Sequence, residues 1–207
     1  YWEVFGFDLM EKNDIRDIGD LRNFITIHQP DRILHLAAIA RFAEADKDPK
    51  LAFEINVLGT KNVVNLATEF HIPLVYASTG SVYMPIKKEP PITEDFEAMG
   101  NSVYGCTKHM GELYVKECKS PWIILRYAHL YGEGKHGHGA IGGFLAKMEK
   151  GERPVIFGGQ QSNDFTFIDD IVQANILALE TENPDVFGQA YNIGTGTELT
   201  TIRVFEI

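Results

Sequence analysis

No stretch of this 207-residue chain is apolar for the length that a membrane-spanning helix needs, and no secretory leader is visible. Neither a membrane span nor export is therefore expected. Cysteine is scarce too. The two present, Cys106 and Cys118, stand on what reads as one helix, too far apart to bridge each other. No disulfide framework is expected, and a reducing, cytoplasmic setting fits. Positive charge is in deficit: 19 Lys and Arg against 29 Asp and Glu give a net charge of −10. That excludes nucleic acid and anionic membrane surfaces as main partners. An anionic ligand would have to be held by local devices such as a helix N-terminus, a glycine loop or a single basic residue. Repeats and low-complexity segments are missing as well. What remains is ordinary: 44% hydrophobic and 23% charged residues, enough for one well-buried domain with a small second lobe.

Read in order, the chain alternates. Trp2 to Asp8 predicts a strand ending in an acid, Asn13 to Asp17 a polar turn, and Ile18 to His28 a short helix. Arg32 to Ala38 is a buried strand running into small residues, and Leu51 to Phe70 a long amphipathic helix. Ile72 to Ala77 is a strand that delivers Ser78, Thr79, Gly80 and Ser81 at its carboxyl end. After the Pro-rich loop from Pro85 to Asn101 come a helix around Tyr104 and a strand from Pro121 to Tyr127. Gly132 to Gly143, with six glycines and two histidines, reads as a loop leading to a helix that ends near Lys150. A short strand at Val155 to Phe157, a helix from Asp169 (its cap) to Glu180, a strand at Ala190 to Ile193 and the start of a helix at Thr201 to Ile207 complete the pattern. Alternation with buried strands predicts a parallel sheet covered on both faces, with ligands beyond the strand carboxyl ends. Asp8, Ala37, Ala38, Thr79 and Tyr127 then face one crevice.

One spacing carries chemistry. In Tyr-x-x-x-Lys on a helix, the phenol and the ammonium stack on one face, and the ammonium lowers the phenol pKa. The sequence holds three matches: Tyr83/Lys87, Tyr104/Lys108 and Tyr131/Lys135. The first spans Pro85 and the third runs through Gly132 and Gly134, so neither suits a helix. Tyr104/Lys108 alone has a helical context, with Ser102 to cap it and Met110, Leu113, Tyr114 and Val115 as an apolar face.

Taken together and in order, His35-Leu36-Ala37-Ala38, Asn56-Val57-Leu58-Gly59-Thr60, Ser78-Thr79, Tyr104/Lys108, Arg126-Tyr127, Leu130-Tyr131-Gly132, Asp164 to Asp170 and Tyr191-Asn192-Ile193-Gly194 resemble the extended short-chain dehydrogenase/reductases. More closely, they resemble the NAD-dependent nucleotide-sugar epimerase/dehydratase family. The resemblance implies a Rossmann-type doubly wound parallel sheet over residues 1–135, lacking its first strand and helix together with their glycine-rich pyrophosphate turn. It implies a mixed segment over 136–207, part substrate lobe and part returning to the sheet. It also implies NAD as cofactor and a homodimer through the Leu51–Phe70 and Tyr104 helices.

The roles implied by the resemblance are specific. Tyr104 is the base, Lys108 lowers its pKa and binds the nicotinamide ribose, and Thr79 bonds the reacting oxygen. Asp8 accepts from the ribose hydroxyls and repels a 2′-phosphate, favouring NAD over NADP. Asp14 and Ile15 contact adenine, while Leu36, Ala37, Ala38, Asn56, Ser78 and Tyr127 line the cofactor. Thr79, Ser81, His129 and Asn163 face substrate. Family dehydratases and decarboxylases carry carboxylates after the Thr, whereas this chain has Gly80 and Ser81, as 4-epimerases do. Epimerisation is thus the leading reading, with an NAD(P)-dependent reductase or dehydratase and a non-catalytic NAD-binding scaffold as alternatives. His129 stands where the family often has Asn, and Asn163 where many members place an Arg on the diphosphate. Another base, such as Arg153, could serve the phosphates, or the substrate is not a standard nucleotide sugar. No metal site is expected, and His136 and His138 read as part of a lid or substrate loop.

Overall fold

Helix caps and buried stripes set most of the elements. The computed structural model describes residues 2–83, 91–133, 139–156 and 158–207. The side chain of Asp17 accepts from the Gly19 and Asp20 amides and starts α1 (Ile18–His28), which buries Leu21 and Ile25 on one face. After β1 (Ile33–His35) come α2 (Phe42–Lys47) and α3 (Pro49–Phe53). Asp48 caps α3, and its proline sits in the first turn, where no amide is needed. A π-helical turn, Glu54–Gly59, then leads into α4 (Thr60–Phe70). The expected single helix over Leu51–Phe70 is therefore interrupted by one wide turn, a feature often met at functional sites. β2 (Leu74–Thr79) is buried at all six positions. α5 (Val103–Lys116) opens with the Ser102 hydroxyl accepting from the Gly105 amide.

β3 (Trp122–Tyr127) is followed at once by β4 (His129–Tyr131), then α6 (Gly139–Glu149), β5 (Ser162–Phe167), α7 (Ile168–Glu180), β6 (Gln189–Ile193), β7 (Glu198–Thr200) and α8 (Thr201–Glu206). The main sheet has the order β1-β2-β3-β6, all parallel. Alternate side chains leave it in opposite directions. Leu74, Tyr76 and Ile124 join α1, α4 and α5 in one core, while Val75, Ile123 and Leu125 meet Ala178 of α7 in another. The result is the doubly wound, Rossmann-type arrangement. Each fully buried Leu or Ile, such as Leu66 and Ile124, contributes roughly 1.5–3 kcal/mol.

Several expectations are corrected. Trp2 to Phe7 joins no ladder; Phe5 and Phe7 instead lie against His28 and Phe24 of α1. A strand persists only where a neighbour takes its backbone bonds, and among the described residues β1 is paired only with β2. Val155 and Ile156 form no strand, and Phe157 lies outside the described residues. Phe167, not Asp169, holds the cap position of α7 and makes no side-chain cap bond. β4, β5 and β7 form a second sheet that the sequence pattern did not announce. Its strands are short and half polar, and their order comes from pairing: β4 with β5 parallel, β5 with β7 antiparallel. Among the described residues no helix is long and apolar enough to cross a membrane, and Cys106 and Cys118 are both free.

Candidate active site

Strand register creates the crevice. Thr79 pairs with Tyr127, and Tyr127 with Ile193, so β2, β3 and β6 end along one edge of the sheet. Thr79 is the last residue of β2, and the chain turns sharply after it. Its hydroxyl donates to Ser81 Oγ (3.2 Å) and accepts from the Ser81 amide (3.2 Å). The N-terminus of α5 comes down beside this turn. A Cβ on Gly105 would lie 2.6 Å from the Ser81 carbonyl oxygen, so glycine permits the approach. Tyr104 is thereby held next to Thr79, with its ring edge-on to Phe42 at 5.3 Å.

Burial pushes the Tyr104 phenol above its ordinary pKa, and the Thr79 hydroxyl beside it pulls the other way. Lys108 contributes less to this balance than the helical stacking suggested. Its ammonium turns toward the sheet and lies 4.1 Å from the centroid of the Tyr76 ring. Burial lowers Lys108 to about 7, a shift opposed by Glu112 one turn further along α5. Among the described residues the Lys108 ammonium makes no hydrogen bond or ion pair and contacts the Tyr76 ring, which leaves its N–H donors for a ligand's hydroxyls.

Asn56 is fully buried in the π turn and ties three segments together. It accepts from the Ile39 amide (2.8 Å) and donates to the Ile39 carbonyl (3.1 Å) and to Thr107 Oγ1 (3.0 Å). The segment after β1, Leu36 to Ile39, is thus latched to α5. Leu36 is exposed there, while Ala37 and Ala38 are half-buried and small, which suits close approach of a flat ligand. Behind them burial and Lys108 hold His35 neutral, with a pKa near 3. Because the Thr60 hydroxyl donates to the Asn56 carbonyl, His35 Nε2 is the donor in its 2.9 Å bond to Thr60.

Other expected ligand contacts are placed differently. Ser78 is buried and donates to Glu112 (2.6 Å); Tyr127 donates to Asn175 (2.7 Å) and is pushed up to about 12 by burial. Both hydroxyls are thus taken up by partners within the protein. Ile15 is a core residue packed on Gly59. Asp14 is bound by Arg16 at 2.6 Å, which lowers its pKa. Asp8 accepts from the Met10 amide (2.8 Å) on an exposed turn. His129, two residues beyond Tyr127, stacks edge-on with Phe165 at 5.1 Å, and Asn163 lies half-buried on the same β5 strand. Asp164 braces the turn after β6, accepting from Thr195 and Gly196. Lys87, Lys135, His136 and His138 lie outside the described residues, among which no cluster of metal-ligating side chains gathers. Sequence reasoning missed Glu112 and Tyr83 as structural partners of Ser78 and Arg126. For Glu112 the signal was there: it follows Lys108 by one helical turn.

Comparison with known proteins agrees with this geometry. The sequence profile of the NAD dependent epimerase/dehydratase family matches residues 8–194. A Methanocaldococcus jannaschii protein, provisionally named a UDP-glucose 4-epimerase, is 34% identical over 203 residues, covering 94% of this chain and 65% of its own length. A dTDP-glucose 4,6-dehydratase of Haemophilus influenzae is 28% identical, covering 95% and 62%. The crystal structure of a UDP-glucuronic acid 4-epimerase from Bacillus cereus in complex with UDP-glucuronic acid and NAD superposes with a TM-score of 0.83 at 29% identity, covering 94% of this chain and 62% of that one. The chain thus spans less than two thirds of each of these proteins.

Proposed function

Because this chain belongs to the NAD dependent epimerase/dehydratase family, we propose that it supplies the catalytic part of a nucleotide-sugar 4-epimerase working through a transient 4-keto sugar. The turn after Thr79 carries this reading. Gly80 and Ser81 bring no carboxyl group, and among the described residues no carboxylate acts on the Tyr104 phenol. Elimination of water lacks its acid and base there, whereas epimerisation needs only a base for one hydroxyl and room for the sugar to turn over.

When bound, NAD supplies a reversible hydride acceptor. Tyr104 takes the proton of the sugar hydroxyl, and Thr79 holds the same oxygen through its own hydroxyl. Lys108 offers its N–H donors to the nicotinamide ribose, Asp8 accepts from the adenine ribose, Asp14 borders the adenine, and the Leu36–Ala38 backbone flanks the dinucleotide. Ser81, His129 and Asn163 form the substrate side. Two copies associate through the Leu51–Phe70 stretch and α5, where Phe53 at the end of α3, Leu58 in the π turn, and Met110 and Leu113 of α5 stay exposed; light scattering on the full-length protein reads this directly. A cytoplasmic setting accords with the two free cysteines.

The test uses the full-length enzyme. It should release about one NAD per chain on denaturation and interconvert 4-epimers of UDP-hexoses with no net redox change. Tyr104→Phe should keep NAD and lose about 10²–10⁴-fold in kcat. Stoichiometric consumption of NADH would establish a reductase instead, and failure to bind any nicotinamide would remove the cofactor reading.

A further inference from the structure

Behind Tyr104 and Lys108, α5 carries a carboxylate with no exposure to solvent. Ser78 donates to Glu112 Oε1 (2.6 Å), as does Arg126 Nε (2.9 Å), and Arg126 Nη2 donates to Oε2 (2.7 Å). Arg126 is itself buried, and its Nη1 reaches the Tyr83 hydroxyl (2.5 Å) and the Glu94 carbonyl (3.3 Å). Tyr83 in turn donates to Asn192 Oδ1 of β6 (2.8 Å). One side chain therefore ties the catalytic helix to the residue directly before Thr79, to β3 and, through Arg126, to the turn beyond Thr79.

Resting on the roles given above to Thr79, Tyr104 and Lys108, we infer that Glu112 is a positioning residue that fixes the Thr79 strand end against α5 and supplies the buried negative charge that favours the ammonium form of Lys108. Four residues separate Lys108 from Glu112, so their Cβ atoms stand about 5–6 Å apart on one helix face. No ion pair of 4.0 Å or less joins them among the described residues, because Ser78 and Arg126 engage the carboxylate. Its charge acts on Lys108 across the gap. The other groups around Lys108 cannot replace it. His35 from β1 is neutral, Tyr76 from β2 is a protonated phenol whose ring lies under the ammonium, Tyr104 is protonated at rest, and Arg126 from β3 is a cation.

The experiment titrates Lys108 by NMR in the full-length enzyme with ¹³C-labelled lysines, its resonance assigned by its loss in Lys108→Met. Glu112→Gln should move the titration midpoint to lower pH by about one unit or more, the effect of losing an opposite charge at this range. The pH above which kcat/KM declines should move the same way, and Glu112→Asp should restore most of both. A midpoint unchanged in Glu112→Gln overturns the inference, even if the melting temperature drops. If that variant does not fold, because it strands Arg126, the midpoint in Glu112→Gln/Arg126→Met must lie below that in Arg126→Met, the comparison that isolates the Glu112 charge once the guanidinium is gone. The titration needs no substrate, so a failure of the epimerase assay with the shift present would sink the proposed reaction and leave this inference standing.

Discussion

Lys108→Met should stabilise the protein at neutral pH, and the gain should shrink as the solution is made alkaline. In the unfolded chain Lys108 releases its proton near 10.5; in the fold, burial brings that value to about 7. Between these values the unfolded state binds more protons than the folded one, so wild-type stability rises with pH across the window. The gap, at about 1.4 kcal/mol per pH unit, makes burying the charge cost on the order of 5 kcal/mol well below pH 7. From pH 7 to 9.5 about 3 kcal/mol of that penalty should be relieved in wild type and none in the methionine variant. Urea unfolding of both proteins at half-unit steps reads the difference directly. Stopping at 9.5 stays below the buried phenols of Tyr76 and Tyr104, which burial raises, and any shared titration cancels on subtraction. A difference that stays constant within about 0.5 kcal/mol across the window would refute the buried-ammonium account.

Three further outcomes are expected. Asn56→Ala leaves the Ile39 amide and carbonyl unpaired and should lower stability by about 2–4 kcal/mol; an unchanged urea midpoint would show that the latch does not hold the Leu36–Ile39 segment. Gly111→Val places a Cβ 2.3 Å from the Tyr76 hydroxyl and 3.1 Å from the Asn56 carbonyl oxygen, and such overpacking should cost about 1–3 kcal/mol or more, read as a drop in melting temperature. His35 should remain the neutral Nε2–H tautomer at pH 5 by ¹⁵N NMR, because burial and Lys108 set its pKa near 3. As pH falls from 6.5 the unfolded imidazole gains a proton that the folded one refuses, so stability declines; an imidazolium already present at pH 6 would contradict this.

Local signals carried much of the architecture. The Ile18–His28 helix needs only Asp17 to start it and its own apolar stripe to seat it, and the Ser102 cap and apolar positions of α5 are equally local. β2 and β3 are legible from the apolar runs Leu74 to Ala77 and Trp122 to Leu125, the pattern of strands buried on both faces. Thr79 and Tyr104 could be paired from sequence only through the ordered set of motifs, since a strand end and a helix start 25 positions later share no local signal.

What only the tertiary structure decided are the partners of polar groups. Whether Lys108 turns to the phenol or to the ring of Tyr76, whether Ser78 and Tyr127 face a ligand or Glu112 and Asn175, and whether Trp2 to Phe7 finds a ladder depend on residues far away in the chain. Periodicity determines which face of an element is buried, because burial follows from the element's own spacing. It cannot determine which hydroxyl, amide or charge waits on the other side, because that is fixed by register and packing between elements.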